Sequence, residues 1–208
     1  MTSAPIILPR NFYDRPTLTV AQDLLGKVLV RHHPDFGPLK ARIVETEAYI
    51  GGEDKACHAS KGMTERTKIM FGEPGHAYVY LIYGMYDCLN LVTEAEGIPA
   101  AVLIRAAEPI EGAEAMKALR GDKARKPYDL TSGPGKLCKA MNITRALNGA
   151  DICGESPLYV EDALPQKLKI ISCPRIGVDY AGEYKDRPWR FYIKGNPYVS
   201  KKAPDQYL

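Results

Sequence analysis

Tyr78-Val79-Tyr80-Leu81-Ile82-Tyr83-Gly84-Met85-Tyr86 reads as a strand that enters a tight turn with its apolar side chains still running. The tip of a hairpin faces water and is ordinarily polar. Here Tyr83, Met85 and Tyr86 surround Gly84 and build an exposed apolar wedge. Wedges of that kind usually have a partner to enter. One such partner is a base-pair step of DNA, where an inserted side chain unstacks the bases and kinks the duplex. A buried strand end whose phenol hydroxyls reach water would carry the same residues.

The turn makes its two flanks, residues 77–83 and 87–93, antiparallel neighbours. The same logic pairs residues 27–33 with 39–49 across the turn Pro34-Asp35-Phe36-Gly37-Pro38. Further strands are expected at 100–106, 158–160, 168–172 and 190–194. A helix is expected over 16–25, with Leu18, Ala21, Leu24 and Leu25 on one face and Gly26 as its stop. Others are expected over 110–119, with the basic run 120–126 after it, and over 136–141, entered through Gly133-Pro134-Gly135. Residues 51–76 form a long connection with a helical turn or two at 64–71. A loop of that length in a compact domain is usually functional or disordered, and its mixed apolar content favours function. Strands outnumber helices, and hairpins outnumber crossovers. The expected fold is therefore α+β. It is a single domain over 1–208, with a mostly antiparallel, curved, partly barrel-like sheet, flanking helices and a protruding β-hairpin.

Of 208 residues, 45% are apolar and 25% charged, which suits a folded chain with one full-sized core. The longest apolar runs fall far short of a membrane span. Met1-Thr2-Ser3-Ala4-Pro5 has no basic segment followed by an apolar stretch, so no export signal is expected. Five cysteines, at 57, 88, 138, 153 and 173, include no CxxC pair and have no histidine at ligand spacing. That argues against a disulfide framework and a zinc site, and it fits a reducing, cytoplasmic compartment. The net charge of +3 is uneven: residues 1–104 carry 10 basic and 12 acidic side chains, and 105–208 carry 18 and 13. A basic half is what a phosphate-tracking surface leaves in a sequence, although many enzymes of similar pI bind no nucleic acid.

The chemistry concentrates around Arg42-Ile43-Val44-Glu45-Thr46-Glu47-Ala48-Tyr49. Strand alternation places Ile43, Glu45, Glu47 and Tyr49 on one face. A carboxylate there, before a glycine-containing loop, can act as a general base on water, with its pKa raised by a partly apolar pocket. Solvated edge glutamates are the commoner outcome for such residues. Tyr49, His58 and Tyr80 supply flat rings enough to sandwich a planar heterocycle. Asn90 can read a base edge, or be a buried amide satisfied by backbone. Arg105, ending an apolar run, needs an anion: a phosphate, or an ordinary partner such as Glu108.

The order of these pieces resembles the alkyladenine (3-methyladenine) DNA glycosylase family, in its compact bacterial form. The segments that carry the resemblance are Glu45-Thr46-Glu47-Ala48-Tyr49, Glu53-Asp54, His58, the hairpin from Tyr78 to Tyr86, and Leu103-Ile104-Arg105-Ala106 before Glu108-Pro109. Ser132-Gly133-Pro134-Gly135-Lys136-Leu137-Cys138, Pro174-Arg175-Ile176-Gly177-Val178 and Arg190-Phe191-Tyr192-Ile193-Lys194-Gly195 match as well. Similarity runs from about Phe12 to Ser200.

The resemblance implies base-excision repair of double-stranded DNA by a monomer associated with the nucleoid. Damaged purines, among them 3-methyladenine, 7-methylguanine, hypoxanthine and ethenoadenine, would be flipped out of the duplex and removed, leaving an abasic site. It assigns Glu47 as the general base, and Arg105 and the backbone carbonyl of Ile176 as groups that hold the water. Tyr49, His58 and Tyr80 line the base pocket, the His58 amide donates to the base edge, and Asn90 rejects normal guanine. Tyr83 enters the minor groove, with Met85 beside it. No lysine falls at these pocket positions, so hydrolysis without a Schiff base or lyase step is expected. Nothing calls for a metal or a cofactor. Gly52 stands where many members have proline, which implies a looser loop. Two other readings use the same residues. One is a non-catalytic nucleic-acid-binding module, which has no need of a carboxylate beside phosphates. The other is a sugar glycosidase using Glu45 and Glu47, but those would lie on one side of the substrate where opposite faces are needed.

Overall fold

The computed structural model describes residues 6–163 and 167–207. Residues 1–5, the segment read above for an export signal, lie outside the described residues. Two short helices, α1 (Arg10–Tyr13) and α2 (Thr17–Asp23), precede the sheet. Four residues give α1 no period to read from sequence. At the start of α2 the amide and hydroxyl of Thr17 both donate to the Glu94 carboxylate, which satisfies donors that the first turn leaves open.

The strands are β1 (Val28–His33), β2 (Gly37–Ile50), β3 (Ala77–Ile82), β4 (Tyr86–Val92), β5 (Ala100–Glu111), β6 (Leu158–Glu161), β7 (Ile170–Cys173) and β8 (Arg190–Ile193). Among the described residues they form one antiparallel sheet in the order β3-β4-β5-β2-β1-β6, with β8 on β2 and β7 on β8. The sheet branches at β2, whose first half pairs with β1 and second half with β8, while β5 runs along its other edge. The α+β, antiparallel expectation holds. The sheet stays open, however, and does not close into a barrel, because the two ends of its main path, β3 and β6, do not pair.

Helix α3 (Ala113–Arg120) begins later than the expected position 110. Ile110 belongs to β5, which continues until Glu111 pairs with Lys40. The helix α4 (Pro134–Ala140) follows Gly133 and starts two residues before the expected position 136, with Pro134 in its first turn. The connection 51–76 is built from irregular turns with two 3-10 segments, His58–Lys61 and Lys68–Phe71.

One face of the sheet carries the main core, in which Leu29, Leu39, Ile43, Val102 and Ile104 pack with Leu24 and Leu137. Each such side chain contributes about 1.5–3 kcal/mol by leaving water. A smaller cluster of Cys57, Met70, Tyr78, Val92 and Ala101 packs with Tyr49 and Tyr80 elsewhere on the fold. Alternation assigns Ala77 and Val79 of β3 to the main core, while Tyr78, Tyr80 and Ile82 line a cavity.

Candidate active site

A pair of register breaks builds the centre of the site. Ile43 faces Ala107 and Glu45 faces Ala106, so Val44 is an extra residue in β2. The next pairs are Glu45 with Ala106 and Thr46 with Ile104, so Arg105 is an extra residue in β5. The first bulge overturns simple alternation. Ile43 joins the main core and does not share a face with the glutamates, and Thr46 donates its hydroxyl back to the Ala21 carbonyl. The second bulge brings Arg105 against the two carboxylates.

Glu45 and Glu47 are both fully buried, not solvated at an edge. Glu47 Oε1 accepts from the Ile176 amide at 2.8 Å, and Oε2 accepts from the Tyr49 hydroxyl at 2.8 Å and Arg105 at 3.2 Å. Its neighbours are thus donors and a guanidinium, in place of the partly apolar surroundings a general base was expected to have. Glu45 accepts from Arg105 at 3.3 Å, Arg190 at 2.9 Å, and the amide and hydroxyl of Ser200 at 2.6 and 3.0 Å. Arg105 therefore has its anions inside the protein, and they are these glutamates. Glu108 pairs instead with Arg42 at 3.7 Å and accepts from Asn196 at 3.0 Å. Burial works against the Arg105 charge, but Glu47 and Glu45 outweigh it and lift its pKa above the ordinary arginine value.

Over this buried network lies a cavity of about 630 Å³, bordered by Tyr49, His58, Tyr80, Asn90, Arg105 and Ile176. The rings expected to sandwich a heterocycle thus converge from β2, the long connection and β3. His58 meets Tyr80 edge-on with centroids 4.5 Å apart, and its Nδ1 lies 3.0 Å from the Tyr78 hydroxyl. Burial first, and the Arg66 charge second, lower the His58 pKa to about 4, so the imidazole is neutral near pH 7. Burial, reinforced by the Glu47 charge, raises the Tyr49 pKa well above that of an ordinary phenol. The Tyr49 proton therefore stays in place and is donated to Glu47. The Asn90 amide donates to the Tyr78 carbonyl at 3.3 Å, as a backbone-satisfied buried amide should, and the residue also borders the cavity.

At the hairpin tip the Met85 amide donates to the Ile82 carbonyl at 3.1 Å, with φ of 52° at Tyr83 and 67° at Gly84. Two successive positive φ values across that bond are what a type I′ turn requires, here followed by one extra residue, Met85, before Ile82 pairs with Tyr86. Tyr83 is 80% exposed and Met85 69%, so among the described residues nothing covers the wedge. Strand parity does not aim Tyr83, because it sits in the turn, and its ring also borders the cavity mouth.

Sequence reasoning missed a clamp behind the rings. Arg175 donates to both Asp54 oxygens, at 2.6 and 2.8 Å, and to the Ala48 carbonyl at 2.9 Å. Its guanidinium also stacks over Tyr49 at 4.7 Å and Trp189 at 5.1 Å. The signal available was Asp54 and Arg175, both within matched segments, but nothing in sequence paired them. Gly52 has φ of 72°, which proline cannot adopt, so this loop turns differently from one that carries proline there. Lys123, Lys136 and Lys139 also border the cavity, at positions other than those the resemblance assigned to the pocket. All five cysteines are free. Among the described residues no three potential metal ligands come together, and no helix is long and apolar enough to cross a membrane.

A family model described as methylpurine-DNA glycosylase matches residues 11–197. The chain belongs to that family. It is thereby a DNA glycosylase of the repair class, as the sequence resemblance implied. Relatives named "Putative 3-methyladenine DNA glycosylase" cover nearly the whole length. The one from Methanocella arvoryzae is 71% identical over 198 residues, 95% of this chain and 98% of the relative. Another, from Alkaliphilus oremlandii, is 56% identical over 202 residues, 94% of this chain and 99% of the relative. A third, from Legionella pneumophila, is 53% identical over 194 residues, 93% of this chain and 98% of the relative.

Proposed function

We propose that this methylpurine-DNA glycosylase acts as a monomer on double-stranded DNA, flips alkylated or deaminated purines into the cavity and hydrolyses their N-glycosidic bond. The observation that carries the reading is Glu47: a buried carboxylate beneath a cavity walled by Tyr49, His58 and Tyr80. A carboxylate offers about four lone-pair sites, of which three are taken, and the remaining one can orient a water. Cleavage develops oxocarbenium character on the sugar, which the Glu47 anion stabilises. Whereas neutral hypoxanthine needs protonation to leave, a 3- or 7-alkylated purine already carries positive charge, leaves readily and stacks well on electron-rich rings. Neutral His58 adds no like charge to repel it. Tyr83, with Met85 beside it, fills the space that the flipped nucleotide vacates, and Asn90 rejects the amino group of normal guanine.

The test is excision from duplexes holding 3-methyladenine, 7-methylguanine, hypoxanthine or ethenoadenine. Release of free base from at least one, with an intact abasic strand as product, is the expected result. Borohydride should trap no enzyme–DNA adduct even though three lysines border the cavity. A trapped adduct overturns simple hydrolysis, and no release from any of the four overturns the reading as a whole.

A further inference from the structure

Part of the cavity wall has no role in the reaction as proposed. It comes from the end of α3, the segment after it, and α4 with the glycine before it: Arg120, Lys123, Gly133, Lys136 and Lys139. Arg120 is only 6% exposed, yet it forms no ion pair among the described residues. Its Nε has no hydrogen-bond partner, and Nη2 reaches only the Asp129 carbonyl, at 3.5 Å. The Asp129 carboxylate is committed elsewhere, to Lys136 at 3.6 Å and the Lys126 amide at 3.2 Å. Arg105, which the sequence offered as a phosphate partner, has two glutamates around it; Arg120 has none.

A guanidinium is costly to bury without an anion, and removing one partner of a buried pair is strongly destabilising. A chain that keeps an arginine in that condition, facing a cavity, leaves room for an anion from outside. The planar fork of donors matches a phosphodiester, which can be held by two parallel hydrogen bonds. We propose that Arg120, with Lys136 tied to the same Asp129, is the subsite for one backbone phosphodiester of the strand whose base enters the cavity. The inference rests on the glycosylase reading above. A phosphate held there fixes the register of the strand and carries no base information, as backbone contacts generally do.

The test measures half-saturating enzyme concentration in single-turnover excision between about 50 and 200 mM salt, for wild type, Arg120→Met and Arg120→Lys. Losing one phosphate contact should weaken Arg120→Met several-fold and reduce its log–log salt slope by about one. Arg120→Lys keeps the charge and should restore the slope. A scan of neutral methylphosphonates along the lesion strand locates the contact. At one position the wild type should lose affinity and Arg120→Met should lose none. The scan in wild type and Arg120→Lys keeps the test alive if Arg120→Met does not fold, because the lysine should then show a smaller penalty at that same position. Equal salt slopes, or identical methylphosphonate penalties in all proteins at every position, overturn the subsite. Absence of excision by the wild type is a separate result, which overturns the glycosylase reading and not the geometry of Arg120.

Discussion

Glu47 is held by three donors on three different segments: Tyr49 on its own strand, Arg105 on β5 and Ile176 on a distant loop. Glu47→Gln keeps the volume and an acceptor oxygen but cannot take a proton from water. Single-turnover excision should fall by about 10²–10⁴-fold, the usual size of a general-base contribution, while lesion binding persists. Excision at the wild-type rate would remove Glu47 from the mechanism. His58 makes a second residue-level prediction. Its folded pKa of about 4 lies below the ordinary 6.5, so the unfolded chain binds the proton first as pH falls. Stability linked to His58 is therefore complete above about pH 6.5 and is lost progressively down to about pH 4. Denaturant melts should show less acid sensitivity in that window for His58→Gln, and the imidazole resonances should titrate with a midpoint near 4. The residue types at the site were legible because a carboxylate, an arginine and three rings recur in matched segments. Their burial was not, since composition alone makes a strand glutamate an exposed one.

The hairpin shows what an element adds. A type I′ turn wants residues that accept positive φ, and Tyr83, at 52°, is a poor one. A bulky side chain in the left-handed region costs about 1–2 kcal/mol relative to a residue that tolerates it. The chain keeps a strained tyrosine at the tip, which is what a functional wedge demands. Tyr83→Asn should therefore melt no lower than wild type, and up to a few degrees higher, while losing lesion affinity and base flipping. A variant that binds and excises like wild type would leave the wedge without a function. The β2–β5 ladder teaches the complementary lesson. Strand positions were readable from period and turn chemistry, but bulges at Val44 and Arg105 exist only in the register between two strands. Neither strand alone carries a sign of them. That is why alternation misplaced Ile43 and why Arg105 was left searching for an anion that two glutamates supply.

At the scale of the whole molecule, the site is closed by segments far apart in sequence. The antiparallel α+β architecture followed from hairpin spacing and turn residues, because those are local. The Asp54–Arg175 pair, 121 residues apart, has no local signature. It joins the loop after β2 to the loop that presents Ile176, so it holds both the ring of Tyr49 and the donor to Glu47. Both side chains are fully shielded from solvent. Asp54→Asn keeps an acceptor for only one of the two amides, Ile50 on Oδ2 or Ala56 on Oδ1, and leaves the Arg175 charge without its counter-ion. Breaking one side of a buried pair costs about 3–5 kcal/mol. In a chain of 208 residues each kcal/mol moves the melting temperature by about 2–4 °C, so a fall of at least about 6 °C is expected. Replacing both partners, as Asp54→Asn with Arg175→Met, should recover part of that loss, because no buried charge then remains unpaired. The double variant should still excise slowly, since the clamp that sets Tyr49 against Glu47 is gone. Full recovery of excision along with stability would mean that Arg175 holds the fold together but does not position the site.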